Sequence, residues 1–150
     1  MIARRGFVAC LGALLLLGGV ARAEGPEDAA QAAADSWLRI VDGGDYAAAW
    51  GQAARALKSA VKQGDWAQAV GGARGALGGV ASRRVKSRQA TTKMPSTRMI
   101  GGNLYTLAGE GQYVVLQYES AFANRPAAAE TVIATADADG SWRVAGYSVR

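Results

Sequence analysis

The spacing of apolar positions changes near Ser82. Before this point, alanine-rich segments repeat their apolar residues every three or four positions, which is the period of one helix face. After it, apolar and polar residues alternate with a period of two, which is typical of strands with one buried face. The pattern therefore predicts helices first and a sheet afterwards.

Three helices are predicted in the first part. Pro26, followed by two acidic residues, suits the first turn of a helix, and a Gly-Gly pair before Asp45 ends it. Asp45 caps a second helix that ends before Gly64. Asp65, with a glutamine three residues later, begins the third helix.

About four strands are predicted in the second part. The clearest is Gln112–Phe122, with its apolar side chains on one face, and Asp139-Gly140 signals a hairpin. Asn124–Pro126 is predicted as a turn, and Met94–Gly111 as an irregular connection with room for a short strand around Leu104–Leu107. The strands cover residues 84–89, 112–122, 130–136 and 142–149.

These elements predict an α+β domain over residues 24–150, with three N-terminal helices packed on a curved antiparallel sheet of about four strands. By analogy, the architecture is similar to the cone-shaped folds of nuclear transport factor 2 and ketosteroid isomerase, and to the cystatin fold. Such folds host many unrelated functions, so the analogy implies architecture alone.

Residues 1–23 have the layout of a cleaved signal peptide. Arg4 and Arg5 precede the apolar run Phe7–Val20, and Ala21-Arg22-Ala23 fits a cleavage site. The run is shorter than the roughly 20 apolar residues of a stable membrane span. We therefore expect a periplasmic or secreted protein, exported by either the general or the twin-arginine route, after cleavage near Ala23.

Cleavage of the signal peptide would also remove reactive and charged side chains. Cys10 is the only cysteine and the chain has no histidine, so thiol nucleophiles, Ser-His triads and imidazole metal ligands are excluded from the mature chain. Three of the 17 basic residues also leave, so against 12 acidic residues the net charge falls from +5 to +2. We expect no metal, no cofactor and no nucleic-acid partner.

A carboxylate mechanism of the isomerase or dehydratase type is one function that this composition permits, because a desolvated carboxyl group can work as an acid or a base. The candidate residues for it are Glu119, Glu130, Tyr118 and Tyr147. The alternative is structural. Strand alternation places Glu119 on the solvent side, and Glu130 would form an ion pair with a residue such as Arg83.

A basic segment follows the change of pattern and contains no acidic residue. It comprises Arg83, Arg84, Lys86, Arg88, Lys93 and Arg98. It suits an anionic partner, such as a membrane surface met through weak contacts, with Arg83, Arg84, Lys86 and Arg88 as the binding residues. The alternative is a sheet edge guarded by charge against aggregation.

The four tryptophans also have two interpretations. Trp37, Trp50 and Trp66 lie on the apolar stripes of the helices, and Trp142 begins the last strand. They could line an aromatic pocket for a ligand, but such stripes more often form a core.

Several clusters carry a family resemblance: Trp37-Leu38, Gly44-Asp45-Tyr46, Tyr113–Tyr118 and Asp139–Tyr147. With them the chain resembles the bacterial exported family called domain of unknown function 4019. One departure is the stretch between Pro95 and Gln112, which is longer and richer in glycine than the family leads us to expect. The resemblance implies a fold and an exported location and assigns no activity.

The leading hypothesis is a non-catalytic exported module that binds a small molecule or another protein. The two alternative hypotheses are an isomerase- or dehydratase-type enzyme and a protein that associates with the envelope surface through its basic segment.

Overall fold

The computed structural model describes residues 24–93 and 110–150. The predicted signal peptide and the predicted short strand at Leu104–Leu107 lie outside these residues. The elements are α1 (Pro26–Asp42), α2 (Tyr46–Gln52), α3 (Arg55–Ala60), α4 (Gln63–Leu77), β1 (Val80–Lys93), β2 (Glu110–Phe122), β3 (Arg125–Ala136) and β4 (Trp142–Val149).

The four strands form one curved antiparallel sheet in the order β1-β2-β3-β4. Register shifts interrupt the pairing of β1 with β2 at three places, and one shift occurs in each of the other two pairings. Such irregularities bend a sheet and increase its twist. α1 packs across all four strands, α3 packs against β4, and α4 packs against α2. The α+β class and the antiparallel sheet are confirmed.

The number of helices differs from the prediction, because the described residues contain four rather than three. The predicted second helix is interrupted at Ala53 and Ala54, whose backbone angles are extended (φ −69, ψ 162 and φ −59, ψ 151). Both alanines are fully buried, and the Ala54 N–H donates to the Val144 carbonyl of β4 at 2.7 Å. The break coincides with a tertiary contact, and Gly51 is the one local helix-weakening residue beside it.

Three strands also begin earlier than predicted, and the smallest difference is in β2, which starts at Glu110 rather than Gln112. β1 starts at Val80, and β3 starts at Arg125 because the turn lies at Ala123-Asn124 rather than Asn124–Pro126. The Asn124 N–H donates to the Leu77 carbonyl at 2.9 Å, so the turn is held against the end of α4. Glu130 consequently lies in the middle of β3 and not near its start.

Aromatic side chains fill the space between the helices and the sheet. Trp37 makes edge-on contacts with Trp66 and Tyr147, at centroid distances of 5.7 and 5.4 Å. The Trp37 indole N–H donates to the Ala49 carbonyl at 2.8 Å, so its polar atom is satisfied inside the core. The core interpretation is confirmed for Trp37 and Trp66, while Trp50 and Trp142 pack at its margin.

Two adjacent glycines of α4 provide a matched test of the packing between α2 and α4. A Cβ at Gly71 would lie 3.2 Å from Cε2 of Tyr46, whereas a Cβ at Gly72 would meet nothing within 4 Å. Gly72→Ala should raise the free energy of unfolding by about 0.5–1 kcal/mol, because alanine favours a helix interior. Gly71→Ala gains the same helix propensity, but its methyl group must displace the Tyr46 ring. Urea denaturation should therefore give Gly71→Ala a lower free energy of unfolding than Gly72→Ala. Equal stability of the two variants would contradict this packing.

Candidate functional site

Three aspartates stand seven residues apart on α1, at Asp28, Asp35 and Asp42. Seven residues are close to two helical turns, so their side chains lie along one side of the helix. Asp28 pairs with Arg88 of β1 at 2.6 Å, and Asp35 accepts a hydrogen bond from the Tyr118 hydroxyl of β2 at 2.8 Å. This aspartate row joins α1 to the first half of the sheet.

Asp42 also belongs to a cluster of polar side chains, to which two helices and all four strands contribute one residue each. The members are Asp42 (α1), Arg74 (α4), Arg83 (β1), Ser120 (β2), Glu130 (β3) and Tyr147 (β4). We call these six residues the polar network. Its two guanidinium groups and two carboxylates balance each other in charge.

Glu130 is the centre of the polar network and is fully buried. Arg83 Nε donates to its Oε2 at 2.6 Å, and Arg74 Nη1 donates to its Oε1 at 3.1 Å. The hydroxyls of Ser120 and Tyr147 donate to Oε2 and Oε1, each at 2.5 Å. Arg83 Nη2 also donates to Oε1 at 3.1 Å, so both carboxylate oxygens have charged and hydroxyl donors, as a buried carboxylate requires.

Asp42 holds the same two arginines from the other side. Arg83 contacts it through two nitrogens, at 2.7 and 2.9 Å, and Arg74 Nη2 donates to it at 2.6 Å. The Arg74 guanidinium also lies 4.7 Å from the centroid of the Phe122 ring. Within the described residues no buried side-chain nitrogen or oxygen lacks a hydrogen-bond partner.

The electrostatics of the network favour one protonation state. Burial alone raises the pKa of Asp42, but hydrogen bonds from Arg83 and Arg74 outweigh it and leave the pKa below its usual value. Burial, reinforced by the charge of Glu130, raises the pKa of Tyr147 far above its usual value. Burial lowers the pKa of Arg83, but its bonds to Asp42 and Glu130 outweigh this and raise it overall. Tyr147 is therefore held as a neutral donor beside charged arginines.

The predicted catalytic candidates do not gather in one place. Glu130 pairs with Arg83, as the structural alternative predicted, and also meets Tyr147. Tyr118 donates to Asp35 instead, and burial followed by the Asp35 contact raises its pKa far above the usual value. Glu119 lies on the opposite face of the sheet.

The basic segment is paired in space although it is unpaired along the chain. Arg83 enters the polar network, and Arg88 reaches Asp28. Arg84 and Lys86 share the single carboxylate of Glu119, with Lys86 at 3.4 Å. The four predicted anion-binding residues therefore all have acidic partners on α1, β2 or β3, and Arg98 lies outside the described residues.

Sequence reasoning missed Asp42 and Arg74. Arg74 stands between Val70 and Leu77 on the apolar stripe of α4 and is itself buried. A charged residue at a stripe position is a signal that could have found it, because such a residue needs a buried partner. The seven-residue spacing of the aspartates is the corresponding signal for Asp42.

An open groove of about 320 Å³ lies at the seam between α1 and the edge of the sheet. We call it the seam groove, and it is lined by Gln31, Asp35, Leu38, Arg39, Arg83, Arg84, Val85 and Tyr118. Arg39 donates to Ser36 Oγ at 3.0 Å and has no acidic partner among the described residues. Within residues 24–93 and 110–150, Asp35 accepts side-chain hydrogen bonds from two neutral groups, Tyr118 and Gln31.

A larger groove of about 650 Å³ runs over the sheet face that points away from the helices. Its lining includes Pro126 and Ala127–Ala129 of β3, Arg83 and Arg150, and the mutually paired Arg84 and Glu119. This outer-face groove offers a shallow surface in which the charges of Arg84 and Glu119 are already matched.

Neither a metal centre nor a membrane helix is found in the part of the chain that the structure describes. No group of three or more acidic, His or Cys residues there could hold a metal ion. No helix within residues 24–93 or 110–150 is long and apolar enough to cross a membrane.

The fold and the polar network define an α+β protein whose helices and curved antiparallel sheet are joined by a buried, charge-balanced network. The profile of the family described as Protein of unknown function (DUF4019) matches residues 33–147, and the chain belongs to this family. The matched range includes all six network residues. No curated protein and no solved structure matches the chain significantly.

Glu130 and Glu119 form a matched pair for testing the network. Glu130→Gln removes one buried charge opposite two guanidinium groups, so the free energy of unfolding should fall by about 3–5 kcal/mol. Glu119→Gln removes a carboxylate whose side chain is 39% exposed, so the loss should stay below about 1 kcal/mol. Urea denaturation at neutral pH measures both values, and a similar loss in the two variants would contradict the structural role of Glu130.

The lowered pKa of Asp42 predicts a loss of stability in acid. A carboxyl group with a lower pKa in the folded state stabilises the protein above its unfolded pKa of 3.8, and this contribution disappears as the pH falls through the folded pKa. The stability difference between the protein and Asp42→Asn should therefore be full near neutral pH and shrink between about pH 4 and pH 2. Urea titrations of both proteins across this range provide the measurement. A difference that is independent of pH would exclude the ionised Asp42 contacts.

Proposed function

We propose that the chain is an exported, non-catalytic binding module that works in the periplasm of a bacterium. On this proposal residues 1–23 are removed on export, and residues 24–150 act as a single domain. The layout of the first 23 residues supports the location. The absence of histidine, together with the loss of Cys10 on cleavage, supports a binding role over a catalytic one.

One observation carries the binding role. The buried side chains of Glu130 and Tyr147 are bonded to each other, whereas Asp35 and Arg39 face an open groove and have no ionic partner in the part of the chain that the structure describes. A group held by two guanidiniums and two hydroxyls, as Glu130 is, has no free lone pair directed at a substrate. This argues against the isomerase or dehydratase alternative and favours binding at the seam groove.

The cone-shaped architecture of nuclear transport factor 2 and cystatin folds is part of the same proposal. Helices on one face of a curved sheet support it. A pocket inside the concavity is not part of it, because Trp37, Trp66 and Tyr147 pack against one another there. The binding surface is instead placed at the rim of the cone, where α1 meets the sheet.

A second candidate is association with an anionic surface of the cell envelope. Arg84 and Lys86 remain 79% and 62% exposed and share one carboxylate, so this corner of the sheet keeps an excess positive charge. Electrostatic attraction of this kind acts over longer distances at low salt and is weakened by screening at physiological salt.

Two glutamines allow the binding role to be tested in cells. A photo-crosslinking residue replaces Gln31, which lines the seam groove, or Gln63, an exposed residue at the start of α4. Each variant is expressed with its own first 23 residues in the source bacterium, and the periplasmic fraction is analysed by intact mass. We expect an adduct of defined mass at position 31 and none at position 63.

The mass of the adduct distinguishes a small molecule, a lipid and a protein. A lipid adduct would favour the surface-associating candidate over the binding module. Equal labelling at both positions, no adduct at position 31, or a chain that stays in the cytoplasm with its first 23 residues would contradict the proposal.

A further inference from the structure

We propose that the seam groove binds a small zwitterion of the α-amino acid class, with Asp35 contacting the ammonium group and Arg39 contacting the carboxylate. The inference rests on the proposed function, because it names the class of ligand for that same groove.

Asp35 is suited to an ammonium group because its negative charge is solvated by neutral donors alone. The Tyr118 hydroxyl donates to Oδ1 at 2.8 Å, and the Gln31 amide donates to Oδ2 at 3.4 Å. The other two members of the aspartate row, by contrast, are paired with arginines. Each oxygen of Asp35 keeps a further lone pair, so the carboxylate can accept from a ligand without losing its present bonds.

Tyr118 fixes Asp35 in this position. Its ring is buried in the core, and its hydroxyl is a firm donor because burial and the nearby Asp35 charge raise its pKa. The hydrogen bond from the buried Tyr118 hydroxyl fixes the Asp35 carboxylate in one orientation. Asp35 is therefore preorganised, and less side-chain entropy is lost when a ligand binds.

Arg39 is suited to a carboxylate for the opposite reason. It stands one helical turn beyond Asp35, at the spacing that often gives an ion pair on a helix surface. It donates to Ser36 instead, and no ion pair between Arg39 and Asp35 is found among the described residues. Opposite charges therefore face the same groove without neutralising each other.

The composition of the lining selects a zwitterion over a simple ion. A phosphate or other pure anion would be repelled by Asp35, and a pure cation would be repelled by Arg39. Leu38 and Val85 give the groove an apolar part, and a volume of about 320 Å³ suits a molecule of amino-acid size. Among the grooves whose linings are described, the outer-face groove carries a matched Arg84–Glu119 pair and lacks this arrangement.

The first experiment compares ligands that differ in one charge. Glycine and L-leucine are titrated into the folded protein by calorimetry, beside N-acetyl-L-leucine, which lacks the ammonium group, and L-leucinamide, which lacks the carboxylate. We expect at least one of the two amino acids to bind, and L-leucine to bind about tenfold or more tightly than either derivative, because each derivative loses a charged hydrogen-bonded contact.

Variants then assign each charge to a residue. In Asp35→Asn the side chain keeps its shape and still accepts from Tyr118, but L-leucine and N-acetyl-L-leucine should bind with equal affinity. In Arg39→Gln, L-leucine and L-leucinamide should approach equal affinity. Arg55→Gln changes an exposed arginine outside the groove and should leave all affinities unchanged. If Asp35 and Arg39 only supported the structure, each substitution would lower the affinity for all the ligands alike. It would not abolish the preference for L-leucine over one derivative and leave the other preference intact.

Absence of binding by both amino acids at millimolar concentration would overturn the zwitterion inference, as would retained discrimination in both variants. If the crosslink at position 31 still formed, the proposed binding module would stand with a different ligand. If that crosslink were also absent, both proposals would be wrong.

Discussion

The fold depends on the burial of one carboxylate, that of Glu130, in the middle of the sheet. Such a group is tolerated only where its charge is balanced and its lone pairs are filled. The required donors come from α4 and from the three other strands, and Asp42 of α1 balances the second guanidinium. The positions of α1, α4 and the four strands relative to one another are therefore specified by hydrogen-bond geometry as well as by apolar packing. Because the network is charge-balanced, it achieves this without leaving a net charge inside the domain.

The residues of the polar network are distinct from most of the residues that line the seam groove. Residues that resemble an acid-base site in the sequence are the ones that hold the fold together, and the groups left with free bonding capacity lie at the rim, on α1 and β1. The aspartate row shows the division clearly. Asp28 and Asp42 bind arginines of the domain itself, while Asp35 between them accepts from neutral groups only.

Local pattern was sufficient for much of the fold. The alternation in β2 placed Val114, Leu116 and Tyr118 on the buried face. Pro26 and Asp45 marked the starts of α1 and α2, whereas Asp65 lies in the first turn of a helix that begins at Gln63. Local pattern failed at Ala53-Ala54, where the break coincides with a bond to Val144, about ninety positions away in the chain. The Glu130–Arg83 pair could be predicted because a buried strand position needs a partner. The remaining pairs could not, since a run of basic residues does not reveal which acids the fold brings beside it.

The edge position of β1 has a consequence for how the protein behaves in a crowded compartment. An edge strand presents backbone groups that can recruit a strand from another molecule. Here the register with β2 shifts at three places, one of them at Lys86, and the flanking Arg84 remains strongly exposed. A second chain laid along this edge would find an irregular ladder and a row of like charges. The exposed basic residues of β1, which in the sequence suggest an anionic partner, therefore also disfavour edge-to-edge pairing with a second copy of the protein.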